Sequence, residues 1–228
     1  SEPTFREIVR WARGKGRVRL EPFMASEPIW AFAAHLEDHG VETVVRGPPP
    51  PVHWIANDKL EVARLTDALF DGERFVEPRV ASDPGEMVDA LMALAEGHRR
   101  VALKRTRCAS AMGNKVFESG RLLEQRRSRR REEVVEFLRH PRWPEGRPVL
   151  VVPWYEVELS PSTQCWVPPE GRGSPYVEGV FEQILEGDES VFAGSRAAEL
   201  PDAVENELVE TSLALLEVFQ RVGYSGRC

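Results

Sequence analysis

The chain has 228 residues, of which 42% are hydrophobic and 29% are charged, and its formal net charge is −7 at pH 7. This composition is ordinary for a globular protein and supplies enough apolar material for one large domain or two small ones. The negative charge disfavours nonspecific binding to nucleic acid. No apolar run approaches the ~18 residues of a membrane-spanning helix, so we expect neither nucleic acid nor membrane as a partner.

The cysteines and histidines form no recognisable metal-binding or disulfide pattern. Cys108, Cys165 and Cys228 have the spacing of neither a zinc motif nor a disulfide framework. Free thiols are typical of a reducing compartment, and the N-terminal residues lack the pattern of a signal peptide. We therefore expect a cytoplasmic protein. His35 and His39 lie one helical turn apart, but without a third ligand we expect them to face solvent.

The first 53 residues predict two helices and a strand. Apolar residues at helical spacing predict a basic helix before Gly14. Ser26 and Gly40 are the predicted start and end of a second helix, and residues 41–45 are predicted to form the strand directly behind it. Because four consecutive prolines follow the next glycine, we expect residues 47–51 to lack regular structure and to act as a stiff linker.

A hairpin that carries a lysine follows two further helices. Asn57 or Asp58 is predicted to cap the first of these helices, and Asp83 opens the second. Residues 101–103 then predict a short apolar strand that ends at Lys104, ahead of a run of small residues. A lysine is a compact charge, and a loop of small residues lets backbone N–H groups approach anionic oxygens. The pattern suits polyphosphate binding, although many hairpins carry a lysine and a glycine.

The remaining residues predict a charged helix, four strands and a long final helix. Residues 126–138 are expected to form one helix, whose basic first half faces solvent or contacts an anion. Residues 149–152 predict a strand buried on both faces, and the alternation over 156–167 predicts a strand with one polar face. The other predicted elements are strands at 177–185 and 191–195 and a helix at 202–222 capped by Asp202. A strand usually follows such a helix, and we expect it to be missing here.

Taken together, these features resemble the ATP-grasp family, whose members bind ATP between two α+β subdomains. The resemblance rests on Asn57-Asp-Lys59 at the start of a helix, Lys104 at the end of a strand, and the carboxylates Glu156 and Glu158 after a buried strand. It implies an α+β fold in which two α/β subdomains clasp a nucleotide. The implied domains are a partial pre-ATP-grasp domain with its Pro-rich linker (1–53), an N-terminal subdomain (54–152) and a C-terminal subdomain (153–228).

The resemblance assigns phosphate binding to two lysines and a loop. Lys59 matches the first nucleotide-facing lysine, near the α-phosphate. Lys104 matches the strand lysine that contacts the α- and β-phosphates and often adenine, and it is the implied catalytic residue. The mobile loop over the β- and γ-phosphates is matched by Ser110, Met112, Gly113 and Asn114. This loop has one glycine where many members of the family have several.

The resemblance assigns nucleoside binding to the hinge and the strand after it. Trp154 and Tyr155 occupy the hinge, whose backbone reads adenine, and Tyr155 is the expected donor because the preceding Pro153 lacks an N–H. Glu156 or Glu158 matches the carboxylate that binds ribose, and we favour Glu158. The strand beneath the nucleotide or the acceptor is matched by Ser160, Ser162 and Gln164.

The implied reaction is an ATP-dependent ligation of a carboxylate to an amine through an acyl phosphate, with amino acids or peptides among the expected substrates. ATP and Mg²⁺ are the implied cofactors, small-molecule carboxylates and amines are the implied partners, and a homodimer is compatible with the resemblance. The magnesium-binding carboxylates of the family would lie beyond Cys228. The alternatives are a nucleotide-binding domain without catalysis, a kinase with the same fold, and an α+β domain whose lysines are surface residues.

Overall fold

The computed structural model describes residues 2–72, 78–108, 113–139, 142–187 and 191–228. Its helices are α1 (Glu2–Arg13), α2 (Glu27–Asp38), α3 (Pro50–Ala56), α4 (Lys59–Phe70), α5 (Pro84–Ala95), α6 (Ser119–Glu124), α7 (Arg127–Arg139) and α8 (Asp202–Arg221). Its strands are β1 (Arg17–Leu20), β2 (Glu42–Val45), β3 (Arg79–Ala81), β4 (Arg100–Arg105), β5 (Asn114–Glu118), β6 (Val149–Pro153), β7 (Pro161–Val167), β8 (Tyr176–Glu186), β9 (Val191–Ala197) and β10 (Gly226–Arg227). These helices and sheets confirm the predicted α+β class.

The chain divides into two compact units. The first unit comprises Ser1–Ala56, Thr163–Val180 and Leu200–Cys228, and the second comprises Asn57–Ser162 and Phe181–Glu199. Strands β7 and β8 therefore each have residues in both units. The domain boundaries predicted after residues 53 and 152 remain a prediction.

The second unit is built on a four-stranded antiparallel sheet in the order β3-β6-β4-β5. Val101 and Leu103 of β4 and Val149 and Val151 of β6 are fully buried and pack with apolar residues of α5 and α7. Because side chains alternate along a strand, Lys104 lies on the face of the sheet opposite this core. The apolar strand predicted at 149–152 is confirmed as β6, with a paired strand on each side.

The first unit contains the parallel strands β1 and β2, which are connected through α2. Val9 and Ala12 of α1 form its small core with Leu36 of α2 and Val41. Gly40 has a φ of 77°, the left-handed conformation that favours glycine after a helix, as predicted. A further sheet has the order β10-β7-β8-β9. No helix in the described ranges is long and apolar enough to cross a membrane.

The prediction that residues 47–51 lack regular structure is confirmed for residues 47–49 and wrong for Pro50 and Pro51. Pro50 and Pro51 are the first two residues of α3. The N–H of His53 donates to the carbonyl of Pro49 at 2.9 Å, which begins the helical pattern. Proline is compatible with the first turn of a helix because the N–H that it lacks has no acceptor there.

Two other predicted elements are α7 and β7 in the structure. The charged helix predicted at 126–138 is confirmed as α7, and the short helix α6 precedes it, separated by the extended Gln125, with φ −70° and ψ 153°. The strand predicted from residue 156 begins at Pro161 as β7. The side chain of Glu156 instead forms an ion pair with Arg99, at 3.1 Å.

The end of the chain differs from the prediction in two respects. Asp202 is the first residue of α8 and does not cap it, since Pro201 occupies the cap position without a side-chain hydrogen bond. The strand predicted to be missing after this helix is present as β10. Its residues pair antiparallel with Trp166 and Val167 of β7.

Candidate functional site

Lys104 lies near the end of β4, on the face of the sheet opposite the core that packs against α5 and α7. It pairs in register with Asn114 of β5 on one side and with Leu150 of β6 on the other. Its ammonium nitrogen lies 4.9 Å from the centre of the Trp154 ring, a distance at which a cation is attracted to the ring face. Burial lowers the pKa of Lys104, and the nearby charge of Lys59 lowers it further.

Lys59 is the first residue of α4, and main-chain groups that follow β4 hold it in place. Its backbone N–H donates to the carbonyl of Thr106 at 2.9 Å. Its ammonium donates to the carbonyl of Cys108 at 2.6 Å. Burial lowers the pKa of Lys59, while Cys108 and the Asp58 carboxylate act in the opposite direction. The start of α4 and the end of β4 therefore bring two half-buried lysines into one region.

Asp58 fixes this start of α4 with both carboxylate oxygens. One oxygen accepts a hydrogen bond from the N–H of Leu60 at 3.0 Å. Of the two predicted caps, Asn57 and Asp58, the residue that caps α4 is therefore Asp58. The other accepts from the Arg107 guanidinium at 2.7 Å. Asp58 is buried, with 7% of its surface exposed. Arg107 was not among the predicted site residues, and no sequence pattern connects it to Asp58, 49 positions earlier.

Gly113 lies where the chain comes back to β4 after the small-residue run. Its carbonyl accepts the N–H of Arg105 at 2.8 Å. A Cβ atom at this position would lie 2.4 Å from the Cβ of Cys108, so only glycine fits without a backbone shift. Close packing is sufficient to explain this glycine. Of the other predicted loop residues, Asn114 begins β5 and is half-buried, and Ser110 and Met112 lie outside the described residues.

The hinge residues follow β6 at the other end of β4. The backbone N–H of Trp154 donates to the carbonyl of Arg100 at 2.9 Å, so it is already used within the sheet. The N–H of Tyr155 has no hydrogen-bond acceptor in the part of the chain that the structure describes. Its side chain is 56% exposed and meets the edge of His98 at 5.9 Å. Of these two N–H groups, the one of Tyr155 is therefore available to donate a hydrogen bond to a ligand.

The two predicted ribose-binding carboxylates are in different environments. Glu156 is 3.1 Å from Arg99 and 3.9 Å from Arg100. Glu158 is exposed and has no ion-pair partner within the described ranges. A carboxylate without a partner can accept hydrogen bonds from two hydroxyl groups without breaking an existing ion pair. This difference favours Glu158 over Glu156 as a hydrogen-bond acceptor for a ligand.

Gln164 belongs to the first unit, whereas the other described candidate residues belong to the second. Its side-chain amide donates to Glu178 at 3.1 Å. Glu178 also accepts two hydrogen bonds from the Arg227 guanidinium, at 2.6 and 2.8 Å. The hydrogen bonds to Arg227 and Gln164 lower the pKa of Glu178. Glu178 and Arg227 were not among the predicted site residues.

Several solved structures are similar to this chain. D-Alanyl-alanine synthetase A from Vibrio cholerae has a TM-score of 0.60 and 15% identity, over 92% of this chain and 60% of that protein. The biotin carboxylase domain of 2-oxoglutarate carboxylase from Hydrogenobacter thermophilus has a TM-score of 0.66 and 15% identity, over 99% of this chain and 51% of that protein. N5-carboxyaminoimidazole ribonucleotide synthetase from Thermus thermophilus has a TM-score of 0.54 and 18% identity, over 93% of this chain and 50% of that protein.

The chain has the ATP-grasp fold. It spans about half to three fifths of the length of these ATP-grasp proteins. At this level of identity the likeness shows the fold alone. No protein-family model and no curated protein sequence matches the chain.

The described part of this ATP-grasp chain contains no group of three or more histidine, cysteine, aspartate or glutamate residues that could hold a metal ion. Magnesium prefers oxygen ligands and is usually bound through one or two carboxylates together with substrate phosphates. Lys59 and Lys104 supply two cations, and the Asp58 carboxylate beside Lys59 is already bonded to the N–H of Leu60 and to Arg107.

Proposed function

We propose that this chain is the nucleotide-binding part of an ATP-dependent ligase that joins a carboxylate to an amine. The observation that carries the proposal is the pair Lys59 and Lys104, two half-buried ammonium groups held beside each other on one unit of an ATP-grasp fold. Two cations in a desolvated site repel each other, and an anion between them removes that repulsion. A polyphosphate is an anion of suitable charge.

The lysines carry the phosphate-binding role in this proposal. Lys104 neutralises charge on the α- and β-phosphates, and contact with the Trp154 ring restricts its position before the nucleotide arrives. Lys59 acts near the α-phosphate from the start of α4. Gly113 and Asn114, with Ser110 and Met112 of the same loop, approach the β- and γ-phosphates. Mg²⁺ is the second proposed cofactor, with its carboxylate ligands supplied from outside this group of residues.

The nucleoside is bound by groups at the other end of the sheet. The N–H of Tyr155 donates to adenine, since that of Trp154 is already bonded to Arg100. Glu158 accepts hydrogen bonds from the ribose hydroxyls, and Glu156 keeps its ion pair with Arg99.

The proposed chemistry has two steps. An oxygen of the substrate carboxylate attacks the γ-phosphorus of ATP, the bond to the β-phosphate oxygen breaks, and an acyl phosphate and ADP are formed. The amine then attacks the acyl carbon and expels inorganic phosphate, and it loses a proton as the amide forms. D-Alanyl-alanine synthetase, one of the similar structures, supports amino acids as a first substrate class to test. We also propose a cytoplasmic location and a homodimer.

The test is a screen of carboxylate and amine pairs for ADP formation by the full-length protein. The ligase should form ADP over many turnovers only when both substrates are present, with one phosphate and one amide per ADP. Lys104→Ala should abolish this activity under conditions that saturate the wild-type protein. ADP formation that needs a hydroxyl acceptor, or that continues over many turnovers without an amine, would contradict the proposal.

A further inference from the structure

A cavity lies in the second unit, along the outer edge of the sheet. It has a volume of about 400 Å³, within the usual range for small-molecule sites. Residues 115–118 of the edge strand β5 form one wall, and residues of α6 and α7 form the other. Neither Lys59 nor Lys104 lines this cavity, so it is distinct from the proposed nucleotide site.

Part of the charge that lines the cavity is neutralised within the protein. Arg100 forms an ion pair with Glu118, and Arg129 forms one with Glu133 at 3.2 Å. Glu133 also accepts a hydrogen bond from the amide of Gln125 at 3.1 Å. The side chains of Arg100 and Glu133 are only 15% and 14% exposed, so these pairs form a fixed part of the wall.

Three other charges line the same cavity and have no ion-pair partner among the residues that the structure describes. They are Lys115 on β5, Arg121 on α6 and Glu136 on α7. The oxygen of the Gln125 amide is also buried there without a donor from the described residues. The cavity therefore offers two cations, one anion and one unused acceptor. A ligand that complements them carries two negative groups and one positive group.

We propose that this cavity binds an acidic amino acid, such as glutamate or aspartate. Its two carboxylates would pair with Lys115 and Arg121, and its ammonium group with Glu136 and the Gln125 oxygen. A dicarboxylate without an amine would leave Glu136 unpaired, and an amino acid with one carboxylate would leave one cation unpaired. The proposal is independent of the reaction at Lys104.

Calorimetric titration of the full-length protein with glutamate tests the proposal. Glutarate, which lacks the amine, and norvaline, which lacks the second carboxylate, are the matched ligands. Each should bind about tenfold more weakly than glutamate or worse, because each loses one charge-assisted pair. Equal affinity for all three ligands would overturn the proposed charge pattern.

Variants separate this cavity from any other glutamate site. Arg121→Gln and Glu136→Gln should each weaken glutamate binding about tenfold or more, whereas Arg131→Gln, an exposed charge on α7 outside the cavity, should leave it unchanged. Glu136→Gln should leave the affinity for glutarate unchanged, which a general loss of folding would not do. Glutamate binding that survives both cavity variants, or no binding in the millimolar range, would overturn the proposal.

Discussion

Lys59 and Lys104 are cations that the folded chain keeps partly away from water. Burial lowers the pKa of both groups, and each keeps a fixed neighbour, the carbonyl of Cys108 for Lys59 and the ring of Trp154 for Lys104. A bound phosphate stabilises the ammonium form of a lysine and so raises its pKa again. Nucleotide binding and protonation of these lysines are therefore coupled.

This coupling predicts that affinity for ADP falls as the pH rises from about 8 toward about 10. Burial holds the pKa of Lys104 below its usual value, so the side chain loses its proton at a lower pH than an exposed lysine does, and the neutral amine attracts phosphate weakly. Titration calorimetry at a series of pH values measures the effect. Lys104→Arg should reduce the slope, because arginine keeps its charge throughout. A flat profile in the wild-type protein would contradict the coupling.

The two carboxylates after the hinge allow a matched comparison. Glu158→Gln should weaken ADP binding by about 1–2 kcal/mol, because it removes a charged acceptor for ribose. Glu156→Gln should have a smaller effect, because that carboxylate is paired with Arg99 at 3.1 Å. Dissociation constants for ADP from the two variants decide between them. A larger loss with Glu156→Gln would reverse the assignment.

Single residues show which parts of the candidate site the sequence could reveal. Lys59, Lys104 and Glu158 were assigned to the site because their chemical type and order along the chain resemble a known arrangement, and their roles stay a prediction. The contacts around Lys59 could not be read from the sequence, because they depend on how distant segments approach. Arg107 meets Asp58 across 49 positions, and the carbonyl of Cys108 meets Lys59 across the same separation.

At the scale of elements, the start of α4 connects helix stability to the candidate site. Asp58 caps this helix and also binds Arg107, and the next residue is Lys59. Asp83 caps α5 in a similar way, accepting the N–H groups of Gly85 and Glu86 at 2.7 and 3.0 Å. Asp83 is exposed and has no role in the proposed site. The two caps therefore form a natural pair for mutagenesis.

Asp58→Ala should lower the free energy of unfolding by about 1–2 kcal/mol and also weaken ADP binding, because the start of α4 loses its cap and its link to Arg107. Asp83→Ala should lower stability by about 1 kcal/mol and leave ADP affinity unchanged. Urea unfolding and titration calorimetry measure the two quantities. A loss of affinity in both variants would mean that stability alone explains the effect of Asp58.

Helices and strands were predicted where local pattern determines them and mispredicted where tertiary context does. The caps at Asp58 and Asp83 follow from side-chain chemistry next to an apolar run. The helix at Pro50 was missed because proline excludes a helix interior but not a first turn. The strand expected from residue 156 begins at Pro161, because alternating polarity locates a strand without fixing its first residue.

At the scale of the whole molecule, the order of elements revealed the fold. A capped helix, then a hairpin that carries a lysine, then a buried strand is an order that indicated an ATP-grasp fold. Solved structures of 15–18% identity confirm that fold. The same pattern could not show that β7 and β8 have residues in both compact units. Alternating polarity identifies a strand, but it does not tell which elements pack against each half of it.

The central claim is that Lys104 anchors a nucleotide, and the affinity of ADP for the full-length protein and its Lys104→Ala variant tests it most directly. Titration calorimetry should show a loss of about 1.5–3 kcal/mol, the range for a hydrogen bond to a charged group. Lys15→Ala is the matched control, because Lys15 is exposed in the first unit, and it should bind ADP as the wild type does. Equal affinity in the wild-type and Lys104→Ala proteins would contradict the account.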